Sequence, residues 1–481
     1  MRPSPVRLLD EAWQFLGGDP ASTANVVFTG RPDTLPARLP VTEAAQALAA
    51  AAGLAAAELG ALRTGAAEPA AVTVDSEATA VAFTSERHLR LSGKPLGGMD
   101  PLSKFFGCAD GVVRLHANYP HHRAALYAAL GISAEASAAA ETDPSGDPAE
   151  IVAAALAPMR TADAEELILA AGGVAFAVRT PEEWAAHEHG AALADSPLVT
   201  MRRTGVPSPR RLGALPEPDG ASPLLPLAGV RVLDFTRVVA GPVATRTLAL
   251  LGADVLRIDP PHMPELPGQA VDFCLGKRSA LLDLRTPEGL GKLDELLADT
   301  DVVVTGYRPG ALARFGLAPD ALAARHPGVV TANLSAWGGP GPWAGRRGFD
   351  SVVQCPTGIA EVEADGDPRP GVLPAQALDH GTGYLLAAGV LRALAARQED
   401  GRGSHVEAAL AQTAAWLMRH HDPEEHLPTF PRRVAAAPHL GFMVGQQGEL
   451  AYALPPFRIK GGPEDWSAPP EPWGTGTAAW R

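Results

Sequence analysis

The pattern of apolar and polar positions is clearest in the second half of the chain. From residue 229 the sequence runs GVRVLDF, then the small-residue turn TRVVAGP, then VATRTLALLG with helical spacing, then ADVLRID. This predicts a strand, a turn, a helix and a second strand. RTPEGLGKLDELLADT follows as a helix, with Thr286 placed to cap it and Pro287 at its first position, where a missing N–H costs nothing. DVVVTGY and GVVTANLSAWG read as two more strands. Strands alternating with helices predict an α/β fold: a Rossmann-like, doubly wound parallel sheet with a second, smaller mixed α/β domain.

Elsewhere the periodicity is helical but apolar on all sides. AAQALAAAAGLAAAELGAL and GYLLAAGVLRALAA therefore predict helices buried inside the protein. The chain also echoes itself: the stretch near residue 54 and the stretch near residue 386 both read as helix, basic loop, strand and helix. Carried back without a gap, Asp379 falls opposite Ala47, so the first copy is expected to lack the acid. Between the copies, DGVVRLHANYPHHRAALYAALG predicts a strand and a helix, and RTADAEELILAAGGVAFAVRTPEEWAAHEHG a helix, a strand and a second helix. Pro and Gly accumulate over residues 205–229, a linker signature. Beyond residue 420 the best strand candidate is ELAYALPPFRI, and residues 467–481 read as irregular.

Composition narrows the partners. A net charge of −14 argues against nucleic acid, whose phosphates need a basic surface. No window holds eighteen apolar residues free of charge, so no membrane span is expected, and MRPSPVRLLDEAWQFLGG lacks the features of a secretory signal. Cys108, Cys274 and Cys355 are odd in number and far apart, which fits a cytoplasmic protein better than a disulfide framework.

Several constellations carry candidate chemistry. The unit ending in Asp259 has the outline of a dinucleotide site, but Gly241 stands alone where such a turn needs three glycines, which argues against NAD. Arg237, Arg285, Tyr307, Arg308 and Arg314 all follow predicted strands, at the edge where open α/β sheets bind ligands, and arginine's planar fork suits phosphate. The pairs His121–His122 and His420–His421 lack metal-ligand spacing and read as ordinary surface or interface histidines; no metal is expected. No G-x-S-x-G elbow supports a serine hydrolase. Asp379, in LPAQALDHGTGYLL, opens a helix with Gly381 and Gly383 behind it. It can cap that helix, or it can attack a thioester carbonyl while the two glycines let backbone approach the substrate.

A resemblance orders these readings. PLAGVRVLDFTRVVAGPVATRTLALLGADVLRID, GKRSALLDLRTPEG, DVVVTGYRPGALARFGL and GFDSVVQCPTGIA, in that order, resemble the class III CoA-transferases, the family of formyl-CoA transferase, carnitine CoA-transferase and α-methylacyl-CoA racemase. The resemblance implies that fold, an acyl-CoA and a carboxylic acid as substrates, and coenzyme A as the group carried, with no metal or prosthetic group. It implies that Asp379 forms a mixed anhydride and then an aspartyl-CoA thioester, supported by Gly381 and Gly383. It further implies that Arg237, Val238, Leu282, Arg285, Tyr307, Arg314 and Phe315 lie along CoA.

Phe349 stands where the racemases carry the histidine of a GHD motif, which disfavours two-base racemization unless His380 replaces it. Pro260 and Pro261 occupy a place the family often gives to a basic residue, and no glycine-rich lid is evident, which leaves the acyl group open. In the family the small domain follows the catalytic helix, whereas here the matching region precedes the Rossmann-like part. The expected organisation is therefore a fused, rearranged member. Its parts are a degenerate copy of the catalytic-helix region (1–95), a small α/β domain (96–222), a Rossmann-like CoA-binding domain (223–420) and a return segment (421–481). It is expected as a homodimer or a pseudo-dimeric monomer. The remaining alternatives are a CoA-binding scaffold, whose acid is only a cap, and a Rossmann oxidoreductase.

Overall fold

The computed structural model describes residues 2–133, 147–216, 220, 222–339, 341–426 and 433–481. Its largest sheet has seven strands in the order Arg278–Leu281, Asp254–Asp259, Arg231–Phe235, Val302–Thr305, Val330–Ser335, Gly403–Ala409 and Val199–Thr204. The first six are parallel, and numbered along the chain their order is 3-2-1-4-5-6, that of a dinucleotide-type doubly wound sheet. Such strands are buried on both faces, which is why they read as continuous apolar runs. Val232, Val255 and Val302 join one core; Leu233, Leu256 and Val303 join another with Leu293, Leu296 and Leu297 of the helix Pro287–Ala298. Thr286 caps that helix as expected, its hydroxyl accepting from Gly289 N at 3.0 Å.

Two helices of 24 residues, Val41–Thr64 and Ala377–Asp400, pack against each other at the centre. Both end at a left-handed glycine, Gly65 or Gly401, a conformation other residues adopt at a cost. Both also carry one glycine pressed on the following strand: a Cβ on Gly53 would come 2.8 Å from Val72, and one on Gly389 2.6 Å from Val406. A single shift of 336 residues (389 − 53 and 401 − 65) relates them. The counterpart of Asp379 is therefore Glu43, not Ala47, and the first copy does carry an acid in its opening turn. Alanine-rich helices slide by one turn with no loss of likeness, so the gapless comparison settled four residues off register.

The two halves exchange strands. Val199–Thr204, from the first half, pairs antiparallel with Gly403–Ala409 of the second. Phe457–Ile459, from the second, pairs antiparallel with Val72–Asp75 of the first, which itself runs parallel to Val26–Thr29. Each helix-and-strand unit is thus completed by a strand that returns from the other half. The small domain, whose core residues run from Leu102 to Ala177, follows the central helix of its own copy, so the chain is duplicated rather than rearranged; Val199–Thr204, inside the expected 96–222, belongs to the large sheet instead. The small domain's own sheet, Phe105–Cys108, Gly111–Leu115 and Ala175–Ala177, is antiparallel and encloses a separate core with Leu126, Val152, Leu156 and Ile168.

Val41–Thr64 is long and apolar enough to cross a membrane, but most of it is buried in the protein. Residues 467–481 form no helix or strand. They lie over the large sheet, with Trp473 Nε1 donating to Asp259 at 3.0 Å and Trp480 Nε1 to Leu296 O at 3.0 Å.

Candidate active site

In doubly wound sheets the crevice opens beyond the carboxyl ends of the strands, where the order reverses. Here that point lies between Arg231–Phe235 and Val302–Thr305, and a cavity of about 500 Å³ opens there. Arg237, Val238, Leu282, Arg285, Tyr307, Arg314 and Phe315 all line it, and so does Asp379. The turn after the first strand is held by buried Asp234, which accepts from Lys277 at 3.0 Å and Thr245 at 2.6 Å. Val238 in that turn has φ +71°, a strained value for a β-branched residue, at the wall of the cavity.

The arginines are not equivalent. Arg237 is only 9% exposed and donates to Met263 O at 2.6 Å and Pro264 O at 2.8 Å, with Glu265 at 3.4 Å. Tyr119, from the small domain, donates to the same Glu265 at 2.7 Å, so this network joins the two halves. Arg285 grips Asp283 through two bonds of 2.8 and 2.7 Å. Arg314 lies over the ring of Phe315, 4.6 Å from its centroid. Asp259 is buried and bound to Arg257 at 2.7 Å, so it is not available to a ribose and the dinucleotide reading falls.

Asp379 is 6% exposed and is the third residue of its helix. It does not cap it. Asp350 does: its Oδ2 accepts from Leu378 N at 2.8 Å and from Asp379 N at 3.0 Å, while Gln354 donates to its other oxygen. Among the described residues nothing donates to the Asp379 carboxyl. Burial first, then the negative charges of Asp350 and Glu86, push it well above the usual carboxylate range. Asp350 is also raised by burial, to about 6, against the pull of its hydrogen bonds. Asp350, with its three donors, is the member of the pair that ionises first; Asp379 is the one that keeps its proton.

Three expectations are corrected. Gly381 and Gly383 are buried inside the helix and do not line the cavity. A Cβ on Gly383 would stand 2.5 Å from Ala240 O and one on Gly381 2.8 Å from Leu48, so they serve close helix packing, not the substrate. His380 does not reach the cavity either; it stacks on Phe83 at 5.3 Å with Nε2 3.9 Å from Glu86, and cannot replace the missing histidine. His121 and His122 are not ordinary surface residues: both line the cavity, and His122 is buried with Nδ1 unpartnered among the described residues. Both are lowered, mainly by burial, His122 to about 3. Phe349 lines the cavity and is covered by His116, their centroids 3.7 Å apart and the rings 5° from parallel. No sequence signal placed His121 and His122, because they reach the cavity from the other half of the duplication.

The sequence model of CoA-transferase family III matches residues 18–212 and 227–441. The chain belongs to CoA-transferase family III. The gap between the matches falls in the Pro- and Gly-rich linker, so the matched stretches correspond to the two halves. The chain is 36% identical over 210 residues to a probable fatty acyl-CoA transferase, Rv3272, of Mycobacterium tuberculosis, covering 41% of this chain and 53% of that protein. It is 38% identical over 205 residues to a formyl-CoA:oxalate CoA-transferase of Bradyrhizobium sp. (strain ORS 278), covering 40% and 48%. A crystal structure of Rv3272 aligns with TM-score 0.39 and 35% identity over 41% of this chain and 58% of that one. A CAIB/BAIF family protein from Brucella suis aligns with TM-score 0.38 and 27% identity over 47% and 65%. The chain spans about half the length of the curated relatives it matches.

Proposed function

We propose that this family III protein is an acyl-CoA:carboxylate CoA-transferase in which Asp379 is the nucleophile. The observation that carries the reading is a carboxyl group with no structural duty: Asp379 caps nothing and accepts no hydrogen bond among the described residues, yet it lines the cavity at the strand ends. An acid kept there against burial and two like charges is difficult to explain as a scaffold.

Asp379 attacks the thioester carbonyl, the C–S bond breaks, and an aspartyl–acyl anhydride forms while CoA leaves, the Asp379 proton departing with the sulfur as thiol. The CoA sulfur, giving up that proton, attacks the Asp379 carbonyl of the anhydride; the first acid leaves as carboxylate and an aspartyl-CoA thioester remains. An acceptor carboxylate attacks this thioester, forming a second anhydride and releasing the CoA thiolate. Attack of that thiolate on the acceptor carbonyl yields the new CoA ester and frees Asp379 as a carboxylate, which takes back from water the proton that the sulfur gave up, closing the cycle. The bond energy of the thioester is conserved throughout, so no metal or other cofactor is required by the route. Arg308 and Arg314 at the strand ends are positioned for the CoA phosphates, and Val238, Leu282 and Phe315 for its apolar parts.

Because Tyr119, His121 and His122 come from the first half and Asp379 from the second, one chain supplies both walls of the site, as a pseudo-dimeric monomer would. The test is to mix the protein with a panel of CoA esters and free acids and follow exchange of CoA by mass spectrometry. Asp379→Asn should abolish an exchange that wild type performs. Unchanged exchange in that variant rejects the nucleophile.

A further inference from the structure

We propose that Arg347, with His121 and His122 beside it, grips the acid: it holds a free carboxylate at the end of the substrate remote from Asp379, so the acids carried are those with a second carboxylate. The inference rests on the CoA-transfer reading and adds to it the class of acid.

The cavity arginines differ in their partners. Arg237 is bound to Glu265 and two carbonyls, Arg285 to Asp283, and Arg346 to Glu166 at 3.0 Å. Arg347 also lines the cavity, but among the described residues its guanidinium forms no hydrogen bond and no ion pair. The charge that acts on it is of like sign, since burial and the cation of Arg308 both lower it. A half-buried guanidinium facing another cation is a site that an anion relieves. His121 and His122 feel the same Arg347 charge, and being neutral they offer hydrogen bonds without adding to it.

The position is rigid. Trp337 Nε1 donates to Arg347 O at 3.1 Å, Arg346 ties the segment to the helix Thr161–Ala170, and Phe349 is stacked under His116. It is also close to the reacting carboxyl. Arg347 is three residues from Asp350, a backbone span of at most about 11 Å, and Asp350 holds Asp379 N at 3.0 Å. A short dicarboxylic chain plus an arginine side chain covers that interval. The guanidinium groups of Arg308 and Arg314 likewise form no hydrogen bond or ion pair among the described residues; they follow a strand end and are assigned to CoA in the proposed function, whereas Arg347 stands on the segment that leads into Asp350–Val353. The planar fork of arginine matches a carboxylate through two parallel bonds.

The experiment compares wild type with Arg347→Gln and Arg347→Lys. Straight-chain acids of matched length, with one or two carboxylates, serve as CoA acceptors, and free CoA is titrated separately. For Arg347→Gln the expected result is a loss of about ten- to a hundredfold in kcat/KM with dicarboxylic acids, little change with monocarboxylic acids and unchanged CoA affinity. Arg347→Lys should recover part of the loss. Equal losses with both classes of acid, or a loss of CoA affinity with no change in preference, overturn the assignment; the second result would give Arg347 to a CoA phosphate. Labelling of Asp379 is read in the same samples, so failure of the underlying chemistry is recognised separately. If wild type forms no adduct at Asp379, equilibrium dialysis of a dicarboxylate against CoA-loaded protein decides: weaker binding by Arg347→Gln supports the site, and equal binding overturns it.

Discussion

Replacing Asp379 by Asn should make the protein more stable at neutral pH while removing the proposed nucleophile. The carboxyl is buried, receives no hydrogen bond among the described residues and faces Asp350 and Glu86, so its proton is bound more tightly in the folded chain than in the unfolded one. An acid raised in this way costs nothing below the unfolded value of about 3.9, and the cost grows by about 1.36 kcal/mol per pH unit above it until the folded group ionises. Holding the proton from there to pH 7 therefore costs at most about 4 kcal/mol. Asparagine has the same shape and no such cost, and allowing for the polar amide left in the same place, a gain of about 1–3 kcal/mol at pH 7 is expected. The assay is urea unfolding of both proteins at pH 4, 5.5 and 7, compared through the midpoints. The curves should nearly coincide at pH 4 and separate as pH rises. Asp350 is raised by burial and titrates in both proteins, and its neighbour is uncharged in both, so its contribution largely cancels in the comparison. A variant that is less stable at pH 7, or a difference that does not change with pH, refutes the reasoning and returns Asp379 to a capping or ion-paired role.

Other outcomes follow from the packing and the charges. Gly383→Ala should cost about 1–3 kcal/mol in urea unfolding, because its Cβ meets the fixed carbonyl of Ala240. Gly381→Ala should cost less, since it meets only the tip of Leu48, and neither change should lower transfer per folded molecule. Glu43→Gln should leave transfer and labelling of Asp379 intact, as the counterpart acid does not line the cavity; loss of labelling would show that the first copy takes part. Arg308→Ala and Arg314→Ala should each weaken CoA binding about tenfold in isothermal titration at low salt, an effect that shrinks as salt screens the charges.

Much of this was legible in the sequence where the chain obeys a single local rule. The strands of the large sheet read as apolar runs because both their faces are covered, and Thr286 and Pro287 marked their helix by capping chemistry alone. All seven residues expected along CoA line the cavity, since the ends of parallel strands converge on one edge. The failures arose where contacts join distant segments. Nothing local assigns the cap of Asp379 to Asp350, the packing of Gly383 to Ala240, or the roof of the cavity to His121 and His122. The register of the duplication was lost for a different reason: alanines carry no information about which turn faces which, and only Gly53 and Gly65, with their partners Gly389 and Gly401, restore it.

The central claim is a covalent bond at one carboxyl. The most direct measurement is to incubate the protein with CoA esters and hydroxylamine, digest it, and search by mass spectrometry for a hydroxamate in the peptide that carries Asp379. The account predicts a hydroxamate at Asp379 that requires a CoA ester, with none at Glu43. Exchange of CoA between acids without any modification of Asp379, or modification at Glu43 in its place, would contradict it.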